Sequence, residues 1–214
     1  MDFLPSLPVL AAYAVAVVAL TLTPGPDMTF FLGKAVTSGR AAGFAAMLGA
    51  ATGLLVHTLA VALGLSALLA ASATAFLVLK VAGAIYLAWL ALQALRHGSG
   101  LSLEGRGGAR PEPLSRVYLK GLGINLLNPK IIMFFVTFLP QFVSASDPHA
   151  AAKLVFLGVT FIAIGVPICF VMIAFAARLA HLLKRSPRIM RGIDWLFAAV
   201  MGGFAVRLLL TRSA

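Results

Sequence analysis

Two short polar breaks interrupt otherwise apolar stretches of this chain. The first is Thr23-Pro24-Gly25-Pro26-Asp27, and the second, about one hundred residues later, is Asn125-Leu126-Leu127-Asn128-Pro129-Lys130. Each proline removes a backbone donor and frees a carbonyl four residues earlier. Pro24 therefore frees the carbonyl of Leu20, Pro26 that of Leu22, and Pro129 that of Asn125. A helix restarting after Pro26 or Pro129 presents free N–H groups and a positive dipole end. Such ends suit a ligand that carries both a carboxylate and an ammonium. The N–H groups and Lys130 would take the carboxylate, while Asp27, the freed carbonyls and Asn125 or Asn128 would take the ammonium. A carboxylate at a helix break in low dielectric can also exchange a proton and couple it to movement. The plainer alternative makes Pro24-Gly25-Pro26 a kink and nothing more. Ionisable residues at both breaks argue against it, because a charge inside a membrane must be compensated.

Further polar residues are weaker candidates. Lys80 lies about one turn inside an apolar stretch, where it either snorkels to the interface or partners Asp27 or a ligand carboxylate. Asp194 opens the last apolar stretch, as a carboxylate favoured by the helix dipole or as a second site group. His57 sits in mid-stretch as an interhelical hydrogen-bonder or a proton relay. Tyr86 and Gln141 are polar groups within reach of a cavity. No set of His, Cys or carboxylate residues has metal-ligand spacing, and no cofactor motif is present. The single Cys169 rules out an internal disulfide framework. No G-x-S-x-G and no paired aspartate motif is found, so an enzyme is not expected.

The surrounding elements must be membrane helices. The chain has 214 residues, is 61% hydrophobic, and carries no Asp, Glu, Lys or Arg from Ala41 to Leu79. That run is too long for one crossing of a hydrocarbon core roughly 30 Å thick, so it must turn back. The chain reads as an all-α polytopic membrane protein with six spans: Leu7–Leu32, Ala41–Leu65, Ala75–Leu95, Val117–Val143, Ala151–Ala177 and Ile193–Leu210. The expected turns are Ser66–Thr74 and Ser144–Pro148, with a basic loop over Arg178–Arg191. Spans one and four contain the breaks. Residues 1–95 and 117–214 form two sets of three spans, joined by a polar loop over 96–116. Three spans per half make two similar halves inverted, as in many transporters.

The net charge of +11 lies mainly in alternate loops. This points to lipid rather than nucleic acid, with loops one, three and five cytoplasmic and both termini outside. Asp2 and the lack of a basic start make residues 3–22 part of a retained span rather than a signal peptide.

Several blocks resemble one family. They are Thr23-Pro24-Gly25-Pro26-Asp27, the small face of Gly49 and Gly53, Leu79-Lys80-Val81-Ala82-Gly83-Ala84-Ile85-Tyr86-Leu87, and Asn125-Leu126-Leu127-Asn128-Pro129-Lys130 followed by Phe138-Leu139-Pro140-Gln141-Phe142. Together they resemble the LysE/RhtB family of bacterial amino-acid exporters, the lysine exporter and homoserine/threonine resistance group. The resemblance implies a six-span secondary transporter of the inner membrane with two related halves. It leaves the cargo open between neutral amino acids, basic amino acids and other small solutes. A cationic substrate would want a second carboxylate, which favours neutral ones such as threonine, homoserine or leucine, exchanged for protons. A homo-oligomer is left open, as is a non-transporting assembly subunit whose polar breaks do not converge.

Overall fold

A computed structural model describes residues 5–71, 73–97, 112–143, 147–178 and 187–210. All regular elements among these residues are helical. In order they are α1 (Leu7–Leu22), α2 (Pro26–Thr37), α3 (Arg40–Ala71), α4 (Ala73–His97), α5 (Leu114–Leu126), α6 (Pro129–Met133), α7 (Ala150–Ala174) and α8 (Pro187–Leu210). A π turn, Phe134–Phe138, and a 3-10 turn, Leu139–Phe142, prolong α6.

Both expected breaks are present. Thr23 and Gly25 adopt extended backbone between α1 and α2, and Pro26 opens α2 at a position where no donor is needed. Asn128 is likewise extended and caps α6, its side-chain oxygen accepting the Lys130 N–H at 3.0 Å. The helix axes bend by 53° at the first break and by 50° at the second.

Among the described residues, α3 and α7 are long and apolar enough to cross a membrane, and counting each bent pair as one span gives four. The helix boundaries differ from expectation in several places, three of which matter for the loops. Helix α3 runs on through 66–71, where a turn was expected. That segment is Ser-Ala-Leu-Leu-Ala-Ala, without Gly or Pro, and alanine is the best helix former. Helix α8 starts at Pro187, so Arg188 and Arg191 are exposed helical residues, not loop. Leu114–Arg116 already belongs to α5. Residues 98–111, 144–146 and 179–186 of the expected loops and turns lie outside the described residues.

Helix α3 is the spine. It packs on α2, α5 and α7, while α4 packs on α8. The α3–α5 contact brings backbone to backbone. A Cβ at Gly49 would run into the carbonyl of Tyr118, and one at Gly121 into the carbonyl of Ala46. Small residues permit this approach between membrane helices. Thr52 and Tyr118 share a hydrogen bond of 2.7 Å along the same seam. An aromatic cluster fills the core nearby, with Tyr13, Phe134, Phe135, Phe138 and Phe161 buried. Tyr13 donates to the carbonyl of Leu157 at 2.8 Å, tying α1 to α7.

At one edge Glu112 bridges two lysines, Lys34 of α2 at 2.8 Å and Lys120 of α5 at 2.6 Å. Its hydrogen bonds to Lys120 and then Lys34 hold the carboxyl down to about 2. Asp147 pairs with Lys153 and accepts the His149 N–H at 2.9 Å before α7 begins. Lys153 and then His149 hold that carboxyl below its usual range.

Candidate functional site

The two breaks touch. Asn125, at the end of α5, donates from Nδ2 to Oδ2 of Asp27, in the first turn of α2, at 2.7 Å. Lys130, in the first turn of α6, reaches the other way. Its Nζ donates to the carbonyl of Thr23 at 2.8 Å and to that of Leu20 at 3.3 Å. The Leu20 carbonyl is the one freed by Pro24. Gly25 clears the path, for a Cβ there would lie 3.0 Å from Nζ and 3.2 Å from Cε of Lys130. The carbonyl freed by Pro129 is held in a matching way. Asn125 O accepts the Asn128 N–H at 3.0 Å and lies 3.3 Å from His57 Nε2, which must carry the donor proton. One freed carbonyl at each break, Leu20 at the first and Asn125 at the second, is thus held by a basic side chain from the other half of the chain.

This arrangement changes one expectation. Lys130 was expected to stand free for a carboxylate, whereas its ammonium is bonded to the backbone of the first break. The chemistry is straightforward. A buried ammonium must find acceptors, and two carbonyls at the end of α1, which also carries the negative dipole end, are the nearest. Lys130 and Asp27 do not form a direct ion pair, although their charges interact.

Asp27, Asn125, Asn128, Lys130 and Gly25 line one cavity, part of it open to the outside. Its remaining walls are largely apolar and include Met28, Phe31, Met47, Leu54 and Phe161. Four buried polar side-chain atoms have no hydrogen-bond partner within the described chain: Thr21 Oγ1, Asp27 Oδ1, Asn125 Oδ1 and Asn128 Nδ2. All four belong to residues that line this cavity. Leaving such an atom unpaired costs about 1–3 kcal/mol, so these four call for polar partners beyond the chain, water or a bound molecule.

Pro24, Pro26 and Pro129 shape the breaks without lining the cavity, and His57 stands behind Asn125, its ring centroid 5.7 Å from that of Phe135. The remaining candidates are elsewhere. Tyr86 packs on Trp89 with ring centroids 5.4 Å apart, and Gln141 donates to the Thr137 carbonyl at 3.2 Å. Asp194 is buried in α8, away from the cavity. Lys80 falls within α4, and its side chain lies outside the described residues.

Sequence reasoning missed the third wall. Gly165, Val166 and Cys169 of α7 line the cavity, and so do Ala50 and Ala51 of α3 and Thr21 of α1. Only Thr21 offered a signal, as a polar residue just before the first break. No group of three or more His, Cys, Asp or Glu residues that could hold a metal occurs among the described residues.

Residues 18–212 match the model of a family described as LysE type translocator. An uncharacterized membrane protein of Vibrio cholerae is 35% identical over 194 residues, covering 90% of this chain and 92% of its own. A homoserine/homoserine lactone efflux protein of Salmonella typhimurium is 31% identical over 189 residues, covering 88% and 90%. A leucine efflux protein of Klebsiella pneumoniae is 28% identical over 201 residues, covering 94% of each chain. No solved structure matches the chain significantly.

Proposed function

This chain belongs to the LysE type translocator family and is a membrane transporter of LysE/RhtB type, and from that premise we propose that it exports neutral amino acids in exchange for protons. One observation carries the reading. The four unpaired atoms in the cavity divide by chemistry as a zwitterion would require. Asp27 Oδ1, Asn125 Oδ1 and the Thr21 hydroxyl accept from an ammonium. Asn128 Nδ2, with Lys130 beside it, donates to a carboxylate. The apolar remainder of the wall suits an uncharged side chain. Among the described residues no second carboxylate lines the cavity, which disfavours a lysine- or arginine-like cargo. Relatives named for homoserine and for leucine efflux support the same class.

Asp27 is the coupling group in this reading. Its carboxylate sits at the helix break, holds one hydrogen bond, and faces the guest with its free oxygen. The transporter works in the inner membrane as six spans in two inverted halves, residues 1–95 and 117–214, with both termini outside. The similar bends at the two breaks support the repeat, and the Lys34–Glu112–Lys120 bridge supports placing the first and third loops on one side.

The test is uptake of labelled threonine, homoserine, leucine and lysine into inside-out vesicles, where export from the cell becomes uptake, with and without an imposed pH gradient. Neutral substrates should move with the gradient and stop when a protonophore collapses it, and Asp27→Asn should remove the pH dependence. PH-dependent export that survives in Asp27→Asn eliminates Asp27 as the coupling group, and a clear preference for lysine eliminates the neutral cargo.

A further inference from the structure

We infer that the carbonyls of Leu20 and Thr23 form a subsite for a primary ammonium, and that Lys130 is its tethered occupant, which the ammonium of the cargo displaces. The inference rests on the reading of the cavity as an amino-acid site, and it assigns a position to the one part of the ligand that the free side chains do not hold alone. The end of α1 presents two carbonyls to a single Nζ, at 2.8 and 3.3 Å. A helix end that has lost its donors to Pro24 offers a cation both lone pairs and the negative end of a dipole. Asp27 Oδ1, unpaired, belongs to the same cavity wall. An alkylammonium has three N–H donors; the two carbonyls take two of them, and the free acceptors of the cavity wall, Asp27 Oδ1, Asn125 Oδ1 and the Thr21 hydroxyl, are candidates for the third.

Gly25 is the second sign that the place is built for exchange. Its backbone is extended, at φ −161°, which any residue can adopt, so its conformation does not call for glycine. What glycine provides is clearance for the lysine end, which a Cβ would meet at 3.0 Å. The lysine side chain is flexible enough to withdraw. Once withdrawn, its ammonium and Asn128 Nδ2 are the two donors left for a carboxylate. The cargo's ammonium replaces that of Lys130 at the carbonyls, and its carboxylate takes the displaced lysine. The exchange is neutral in charge and leaves no carbonyl unpaired. The other ionisable groups facing Lys130 are Asp27 of α2 and Cys169 of α7, with His57 of α3 reaching Asp27.

Removing the tethered occupant should leave the subsite open to a free amine. The experiment is thermal unfolding of purified wild type and Lys130→Ala in detergent, titrated with propylammonium or tetramethylammonium. In Lys130→Ala, propylammonium should raise Tm saturably, by about 5–10 °C at a concentration on the order of 100 Kd. Tetramethylammonium, which has no N–H donor, should not, and wild type should respond to neither. No propylammonium effect on a folded Lys130→Ala, or an equal effect of both amines, overturns the subsite. Should Lys130→Ala not fold, Lys130→Leu decides. It keeps an apolar stem for packing but ends short of the carbonyls of Leu20 and Thr23, so propylammonium should stabilise it more than wild type, and an unchanged response overturns the inference. These readouts need no transport. A positive amine titration with no amino-acid export would retain the subsite and reject the proposed cargo, and the reverse result would do the opposite.

Discussion

Gly53→Ala adds one methyl group to α3 and removes no polar atom, yet it should disable the pair of breaks. The new Cβ would lie 2.9 Å from both Cβ and Cγ of Asn125 and closer still to its Oδ1. Asn125 is 1% exposed, so it cannot retreat without moving α5. Either the helices part or Asn125 turns away from Asp27. Overpacking of this kind costs about 1–3 kcal/mol. Losing a hydrogen bond to a charged partner, here the 2.7 Å bond from Asn125 to Asp27, costs about 1.5–3 kcal/mol more. The sum of about 2.5–6 kcal/mol corresponds to a fall in Tm of roughly 5–20 °C for a chain of this size. Gly64→Ala on the same helix is the control. A Cβ there meets nothing within 4 Å, so alanine should be neutral or stabilise by up to about 1 kcal/mol. Thermal unfolding of both variants, alongside uptake into inside-out vesicles, makes the comparison. If Gly53→Ala unfolds and transports like Gly64→Ala, the contact between Gly53 and Asn125 does not position Asp27.

Other perturbations read different parts of the molecule. Glu112 titrates at about 2 in the folded chain against an ordinary 4.5, so its bridge to Lys34 and Lys120 contributes fully above 4.5 and is lost as pH falls through about 2. Tm followed from neutral pH to 2 should show that acid loss in wild type and less of it in Glu112→Gln. Tyr13→Phe removes the hydroxyl that donates to Leu157, and unfolding should shift down by about 1–6 °C, corresponding to about 0.5–1.5 kcal/mol. Cys169 lines the cavity, so a small methanethiosulfonate reagent should label it and a saturating transported amino acid should slow the labelling, as read by mass spectrometry. Labelling unaffected by any amino acid that the protein carries would place the cargo elsewhere.

The breaks were legible in the sequence because proline, glycine and charge are conspicuous in an apolar run. Their meeting was legible as a possibility, since each leaves groups that lipid cannot satisfy. The partner chosen by Lys130 was not. Sequence supplies a cation and a set of acceptors, but which acceptors lie within reach depends on how α6 crosses α1. The contribution of α7 was hidden for another reason. Its apolar residues run around the whole helix, so no face announces itself. Gly165 and Cys169 resemble any other small residues of a membrane helix until packing turns them inward. The end of α3 was misplaced because Ser-Ala-Leu-Leu-Ala-Ala has the composition of a polar-edged turn to the eye but that of a helix to the backbone. Glu112 was passed over as one charge in a Pro-rich loop, although it joins two helices.

The crossed capping of the breaks also bears on how such a chain can change over generations. Lys130 holds the carbonyls of Leu20 and Thr23, and His57 holds that of Asn125. A substitution at 130 is therefore felt at the break near residue 24, and one at 57 at the break near residue 129. Neither segment can drift alone. If the two halves began as copies of one ancestral unit, they have had to diverge as a matched pair, each retaining the side chain on which the other's broken helix depends.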